Sequence, residues 1–90
     1  MRILVIVGTN NAAQFEITNN VAPKENINCY LQRKTVASLD TVVKYAVIRT
    51  VYDVEAFAGQ RFDLIVEHNS FTYSEHNSLL VQRLRAMCLR

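Results

Sequence analysis

Two apolar segments stand out along the chain, an uninterrupted run at residues 3–7 and a second segment within residues 62–67. The first contains only β-branched and aliphatic residues, and the second is carried by Leu64, Ile65 and Val66. Strands that are covered on both faces have this composition, and such strands belong to parallel sheets. We therefore predict two buried parallel strands. Weaker apolar patterns predict two further strands, at residues 27–31 and at residues 46–51.

Apolar residues spaced four apart predict a helix directly after the first strand. Asn11 is the candidate N-cap with Gln14 as its capping-box partner, and Pro23 ends the helix. A second, short helix capped by Ser38 is predicted from an apolar stripe, although its β-branched residues also suit a strand. The apolar positions of the two helices are Ala13, Ile17 and Val21, and Leu39, Val42, Val43 and Ala46.

The second half of the chain predicts a single helical turn and a longer terminal helix. Asp53 can cap a turn that reaches Phe57, and Gly59 fits the end of that turn. Thr72 and Glu75 have the spacing of a capping box for the terminal helix. The apolar stripe of this helix contains Leu80, Val81, Leu84, Met87 and Cys88.

Strands and helices thus alternate along the whole chain. This order predicts one α/β domain over residues 1–90, with a small parallel-rich sheet of about four strands and flanking helices. Right-handed crossovers would place helices on both faces of the sheet. Ligands of such sheets bind beyond the carboxyl ends of the strands, which here correspond to residues 8–11, 51–53 and 67–70.

Composition narrows the class of protein only slightly. Half of the 90 residues are apolar and the formal net charge is +2, which excludes a disordered chain and gives little general attraction to nucleic acid. Cys29 and Cys88 are far apart and form no CxxC pair, so we expect two reduced thiols and a cytoplasmic protein. The apolar N-terminal run is too short for a targeting segment or a membrane span. No motif indicates a cofactor or a bound metal.

The turn after the first strand has the frame of a phosphate-binding loop. Gly8, Thr9, Asn10 and Asn11 follow a buried strand and open a helix, as the GxxxxGK[ST] loop does. Counted from Gly8, however, the second glycine, the lysine and the hydroxyl residue of that motif are replaced by Ala13, Gln14 and Phe15. These replacements remove the close backbone approach, the positive charge and the magnesium ligand.

The run from Arg61 to His68 resembles the strand of NTPases that ends in an acidic pair. The resemblance implies that Glu67 takes the place of the magnesium-binding acid, while His68 replaces the acid that activates water. Together the two segments resemble a minimal Rossmann-like or degenerate P-loop NTPase-like domain. In size and layout the chain also resembles short α/β proteins encoded in bacteriophage genomes. The weak ligand site that this implies contains Gly8, Thr9, Asn10, Asn11, Glu67 and His68.

A short repeat lies beside this segment. Glu67-His68-Asn69-Ser70 recurs at residues 75–78, so the residues to test for a metal site are His68 and His76. Polar residues of this kind also suit strand ends and helix starts, and we favour that interpretation. Phe71, between the two copies, is interpreted as a hydrophobic staple rather than a docking residue.

Three functions are consistent with these patterns. The scaffold with its altered motifs favours a non-enzymatic protein-interaction module that binds another protein or forms a homodimer. The alternative is a nucleotide- or anion-binding regulator that uses the turn at Gly8. A further alternative is a nucleic-acid binder led by Arg83, Arg85 and Arg90, which cluster at the end of the terminal helix without an acidic neighbour. An enzymatic role is the least supported.

Overall fold

A four-stranded mixed sheet forms the centre of the structure, a computed structural model that describes residues 1–20, 27–38 and 40–90. The strands are β1 (Arg2–Val7), β2 (Thr35–Ala37), β3 (Val42–Val47) and β4 (Leu64–Glu67), in the spatial order β2-β3-β1-β4. β1 pairs in parallel with β3 and β4, whereas β2 pairs antiparallel with β3. The predicted α/β domain with a mostly parallel sheet of four strands is confirmed.

Helices cover both faces of this sheet. They are α1 (Asn10–Asn20), α2 (Ile27–Arg33), α3 (Val51–Glu55) and α4 (Glu75–Cys88). The crossovers from β1 to β3 and from β3 to β4 run in opposite directions across the sheet. Right-handed crossovers of opposite direction lie on opposite faces, so α1 covers one face and α3 the other. α4 packs beside α3.

The main core lies between the sheet and the pair of helices α3 and α4. Side chains alternate between the two faces of a strand, and Leu4 and Ile6 of β1 point to this side. On the opposite face, Ala13 and Ile17 are the fully buried residues of α1. The core cluster consists of Leu4, Ile6, Ile48, Val54, Phe57, Phe62, Ile65, Leu80, Val81, Leu84 and Cys88.

Two of the predicted elements are wrong. Residues 27–31 belong to helix α2 rather than to a strand, and most of the helix predicted after Ser38 is strand β3 instead. In β3 the β-branched residues pair with the central strand β1, and this pairing decides between the two conformations that they allow. The strand predicted at 46–51 ends at Val47. The predicted positions Val21, Pro23 and Leu39 lie outside the described residues.

The helices begin at other residues than the sequence predicts. The Thr9 hydroxyl accepts the N–H of Ala12 at 3.1 Å, so α1 begins one residue before Asn11. Ser74 rather than Thr72 is the N-cap of α4. Thr50 caps α3, and Asp53 is its capping-box partner rather than the cap. Gly59 does follow this turn, with a positive φ of 85°.

The capping box of α3 makes stability depend on pH. The hydrogen bond from the Arg49 amide is the largest effect on Asp53 and lowers its pKa. Burial acts in the opposite direction, but hydrogen bonds from Thr50 lower the pKa further, and the net pKa is lowered. The ionised Asp53 carboxylate therefore stabilises the folded state. This stabilisation is complete above the pKa that Asp53 has in the unfolded chain, and it is lost as pH falls through its lower pKa in the folded chain. We expect Asp53→Asn to lower the free energy of unfolding by about 1 kcal/mol near neutral pH, and we expect this difference to shrink as pH falls through the folded-state pKa of Asp53. Urea unfolding at several pH values measures this, with the exposed Glu75→Gln as control, and a difference that does not change with pH would contradict it.

The end of α4 returns to the start of β4. The N–H of Phe62 donates to the carbonyl of Cys88 at 2.8 Å, and the N–H of Arg90 donates to the carbonyl of Phe62 at 2.9 Å. These bonds form an isolated parallel bridge between Phe62 and Leu89. The thiol of Cys88 is buried and donates to the carbonyl of Phe57 at 3.3 Å, and burial raises its pKa. Cys88 therefore packs as a small apolar residue, as predicted.

Candidate functional site

The turns after β1, β3 and β4 meet at one edge of the sheet, where ligands of open α/β sheets bind. The rule places the ligand between neighbouring strands whose connections leave in opposite directions. β1 and β4 are such a pair, because β1 continues toward β3 and β4 continues into α4 on the other face. A ligand is therefore expected in the space between Gly8 and the turn at residues 68–71.

This space is filled by the chain itself. A side-chain carbon added to Gly8 would lie 2.1 Å from the carbonyl oxygen of Ser70 and 2.8 Å from its carbonyl carbon. The N–H of Gly8 donates to the Ser70 hydroxyl at 3.0 Å. Gly8 is thus needed here for the close approach of another backbone segment. Its amide, which a phosphate loop would offer to a ligand, already has a partner.

His68 holds the same turn in place. Its Nδ1 accepts the N–H of Ser70 at 3.1 Å and lies 2.8 Å from the Ser70 hydroxyl, while its Nε2 lies 2.7 Å from a carboxylate oxygen of Glu16. Because Nδ1 accepts, this network places the ring proton on Nε2, which donates to Glu16. The N–H of Phe71 closes the turn on the His68 carbonyl at 2.9 Å. The network ties β4, the end of β1 and α1 together.

A hydroxyl, an imidazole and a carboxylate in series are also the parts of a nucleophilic relay. Here the Ser70 hydroxyl directs its proton to His68 and accepts the Gly8 N–H with one lone pair. The bond to His68 lies within the turn, and the bond from Gly8 holds the turn against the end of β1. The direct effect of this series of hydrogen bonds is to close the crevice between β1 and β4.

The carboxylate of Glu67, at the end of β4, already has two hydrogen-bond partners. Its carboxylate accepts hydrogen bonds from the Tyr73 hydroxyl and from the Arg85 guanidinium, the latter at 2.9 Å. Burial alone would raise the pKa of Glu67, but these two hydrogen bonds outweigh it and lower the pKa. The hydrogen bond to Glu67 in turn raises the pKa of Tyr73. Glu67 therefore forms a structural link from β4 to α4.

The other predicted ligand residues have separate surroundings. Thr9 caps α1, and the side-chain oxygen of Asn10 accepts from the Lys34 ammonium at 2.6 Å. Asn11 is exposed. Ala13, in the place of the second loop glycine, is fully buried in α1, and Phe15 is 66% exposed. The segment is therefore a helix start that packs on the sheet and does not form one common cradle with Glu67 and His68.

Each arginine near the C-terminus pairs with a carboxylate. Arg83 pairs with Glu55 at 3.6 Å, Arg85 with Glu67 at 2.9 Å and Arg90 with Asp63 at 3.7 Å. The partners lie at the end of α3, in β4 and just before β4, all distant in sequence from the arginines, which is why the sequence suggested a cluster without acids. Much of the positive charge predicted for nucleic acid is therefore balanced within the chain.

The two copies of the repeat have different surroundings. His68 contacts Glu16 and Ser70, whereas His76 at the start of α4 lies 3.0 Å from the carbonyl of Arg49. Among residues 1–20, 27–38 and 40–90, no group of three His, Cys, Asp or Glu residues is arranged to hold a metal ion. Phe71 packs against the core and meets the Tyr73 ring edge-on at 5.0 Å.

Two open clefts lie beside the closed crevice, and residues of the predicted strand ends line both of them, Gly8, Thr9 and Ser70 in one and Asn10 and Asp53 in the other. One, of about 330 Å³, lies between the ends of β1 and β3 and the start of α4, and its lining includes Gly8, Arg49 and Asn77. The other, of about 370 Å³, lies at the end of β3, and its lining includes Lys34, Arg49 and Asp53. Lys34 and Arg49 belong to no motif, so only the folded chain brings them together.

Comparison with protein-family models, with curated proteins and with solved structures finds no match for this chain. In the described part of the chain, no helix has the length and apolar character needed to cross a membrane. The basis for its function is therefore its own crevice, clefts and exposed side chains.

Proposed function

We propose that this chain is a non-enzymatic protein-interaction module on a degenerate nucleotide-binding-like scaffold. The observation that carries the proposal is the closed crevice between β1 and β4, where Ser70 occupies the space that a ligand would need. Glu67 and His68, which the motifs suggested as ligand residues, are hydrogen-bonded to other side chains of the chain. Large apolar side chains are exposed instead, and such surfaces bind other proteins.

The interaction surface we favour lies on α3 and α4 and consists of Val51, Tyr52 and Leu79, here named the α3–α4 patch. The exposed fractions of these side chains are 39%, 82% and 67%. Val51 and Tyr52 open α3, directly after the carboxyl end of β3. An exposed tyrosine beside aliphatic side chains supplies a large contact area at a small entropic cost, which is typical of interface centres.

Two contacts align the helices so that these side chains share one surface. His76 lies against the Arg49 carbonyl just before α3, and Arg83 pairs with Glu55 at the end of α3. On α4, residue 79 lies on the same helical face as residues 76 and 83. Leu79 is therefore level with the first turn of α3, and the His76 contact and the Glu55–Arg83 pair form a polar rim around the patch.

A matched set of variants tests this proposal. We expect the double variant Tyr52→Ser/Leu79→Ser to lose most of the binding of a partner or of a second copy, because it removes the apolar centre of the surface. The control is Phe15→Ser, which removes a comparably exposed aromatic side chain from α1 on the opposite face of the sheet. Sedimentation across a range of concentrations measures self-association, and a photoreactive residue at position 52 or 15 identifies other partners by cross-linking.

The two positions give clear alternatives. A chain that stays monomeric and cross-links to no protein through position 52 would contradict the proposal. Cross-linking through position 15 alone would place the interaction surface on α1 instead of the α3–α4 patch. Unchanged association in the Tyr52→Ser/Leu79→Ser variant would also exclude this patch.

A further inference from the structure

The cleft at the end of β3 arises because the antiparallel pairing of β2 stops early. The N–H of Tyr45 donates to the carbonyl of Lys34 at 2.8 Å, and before Lys34 the chain is helix α2. Lys34 adopts a positive φ of 51°, which turns the chain away from β3. In the described part of the chain, no strand lies beside the last residues of β3 on this side.

This leaves main-chain groups of β3 directed into the cleft. Successive N–H groups of a strand point alternately to its two neighbours. The N–H of Val42 donates to Met1 on the β1 side, and that of Tyr45 donates to Lys34 on the β2 side. The N–H of Val47, two residues after Tyr45, therefore also points away from β1, into the cleft that Val47 lines.

Two cationic residues line the same cleft as Val47. The Lys34 ammonium is held by the side-chain oxygen of Asn10 at 2.6 Å, and the Arg49 guanidinium lies 3.4 Å from the Gly8 carbonyl. Among the described residues neither cation has a carboxylate within ion-pair distance, in contrast to the arginines near the C-terminus. Two cationic residues, one between α2 and β2 and the other between β3 and α3, therefore line the same open space.

One carboxylate also lines the cleft. Oδ2 of Asp53 accepts from the amides of Arg49 and Thr50 at 2.8 and 2.9 Å, and from the Thr50 hydroxyl at 3.2 Å. These bonds to the start of α3 fix that oxygen and balance part of its charge. With Lys34 and Arg49 present, the cleft keeps a net positive charge.

We propose that this cleft binds the phosphoryl group of a small phosphomonoester between the Lys34 ammonium, the Arg49 guanidinium and the N–H of Val47. A dianion matches two cations better than a carboxylate does, and guanidinium binds phosphate oxygens in pairs. The volume of about 370 Å³ exceeds what a phosphate ion needs, and Ala56 and Phe57 supply apolar lining for an organic group. A sugar phosphate or a nucleoside monophosphate fits this description. The α3–α4 patch plays no part in this binding.

The experiment uses calorimetric titration at constant ionic strength, with sodium phosphate, ribose 5-phosphate and AMP as probes and with ribose and adenosine as uncharged controls. We expect saturable binding of the three phosphates and none of the uncharged controls. Lys34→Asn and Arg49→Gln should each weaken binding at least about tenfold, because each removes a charge-assisted hydrogen bond. Asparagine is chosen at position 34 because it tolerates a positive φ.

The matched control is Lys44→Gln. Lys44 lies on β3 with its ammonium 5.2 Å from the Phe57 ring centre, outside the cleft lining, so binding should stay within about twofold of the unchanged chain. Melting temperatures of all variants verify that they fold. Absence of saturable phosphate binding would overturn the proposal. Equal weakening by Lys44→Gln and Lys34→Asn would do so too, since it would indicate general charge screening. The Tyr52→Ser/Leu79→Ser variant should bind phosphate normally, which separates this test from that of the interaction surface.

Discussion

Gly8→Ala should destabilise the fold by about 3 kcal/mol or more, although it adds only one methyl group. The added carbon would lie 2.1 Å from the main-chain oxygen of Ser70, so the turn at residues 68–71 must move away from β1. That movement breaks the Gly8–Ser70 hydrogen bond and the contact of His68 with Glu16. Chemical denaturation followed by circular dichroism measures the loss.

Two controls separate the clash from other effects of alanine. Gly59→Ala meets no atom within 4 Å and changes only a residue with positive φ, so it should cost about 1 kcal/mol. Ser70→Ala should not rescue Gly8→Ala, because the clash involves the main chain of Ser70. Equal effects of the two glycine substitutions would show that the turn does not press on Gly8 as described.

Phe62→Ala should lower the free energy of unfolding by about 3–5 kcal/mol. The Phe62 side chain is 1% exposed, its ring meets the Phe57 ring edge-on at 6.0 Å, and the Arg2 guanidinium lies 5.3 Å from its centre. Its backbone also bridges to Leu89 at the end of α4. Removing the ring leaves a cavity where three elements meet.

Leu64→Ala, two residues further along, is the matched comparison. Leu64 is 44% exposed, and its truncation should cost less than about 1 kcal/mol. Both variants can be measured by urea unfolding under the same conditions. Similar losses for the two would contradict the burial described for β4.

This pair of residues also shows how far the sequence predicts the fold. The apolar run at residues 62–67 located a strand, but it suggested that Leu64 was as buried as Ile65. Burial depends on what covers each face, and Ile65 points to the core cluster while Leu64 points to the other face. β1 was predicted well because no polar residue interrupts its apolar run, as expected of a strand with neighbours on both edges and helices on both faces.

The candidate site was less predictable because its contacts join distant residues. Local spacing suggested that Gly8 served a phosphate, whereas the folded chain uses it to admit Ser70. Glu16 carries no motif and gains its role only when α1 lies beside the end of β4. Lys34 and Arg49 similarly line one cleft only because β2 pairs with β3 for three residues and then stops.

The position of β1 in the sheet has a consequence for how the chain folds. Among the four strands of this sheet β1 comes first along the chain, yet it is an inner strand, and its partners β3 and β4 come at residues 42–47 and 64–67. Its pairing must close long loops before stabilising contacts form, and this slows folding relative to a helical protein of similar size. On the ribosome, β1 would stay an unpaired apolar segment until β3 had emerged, and its other edge would stay open until β4 had followed.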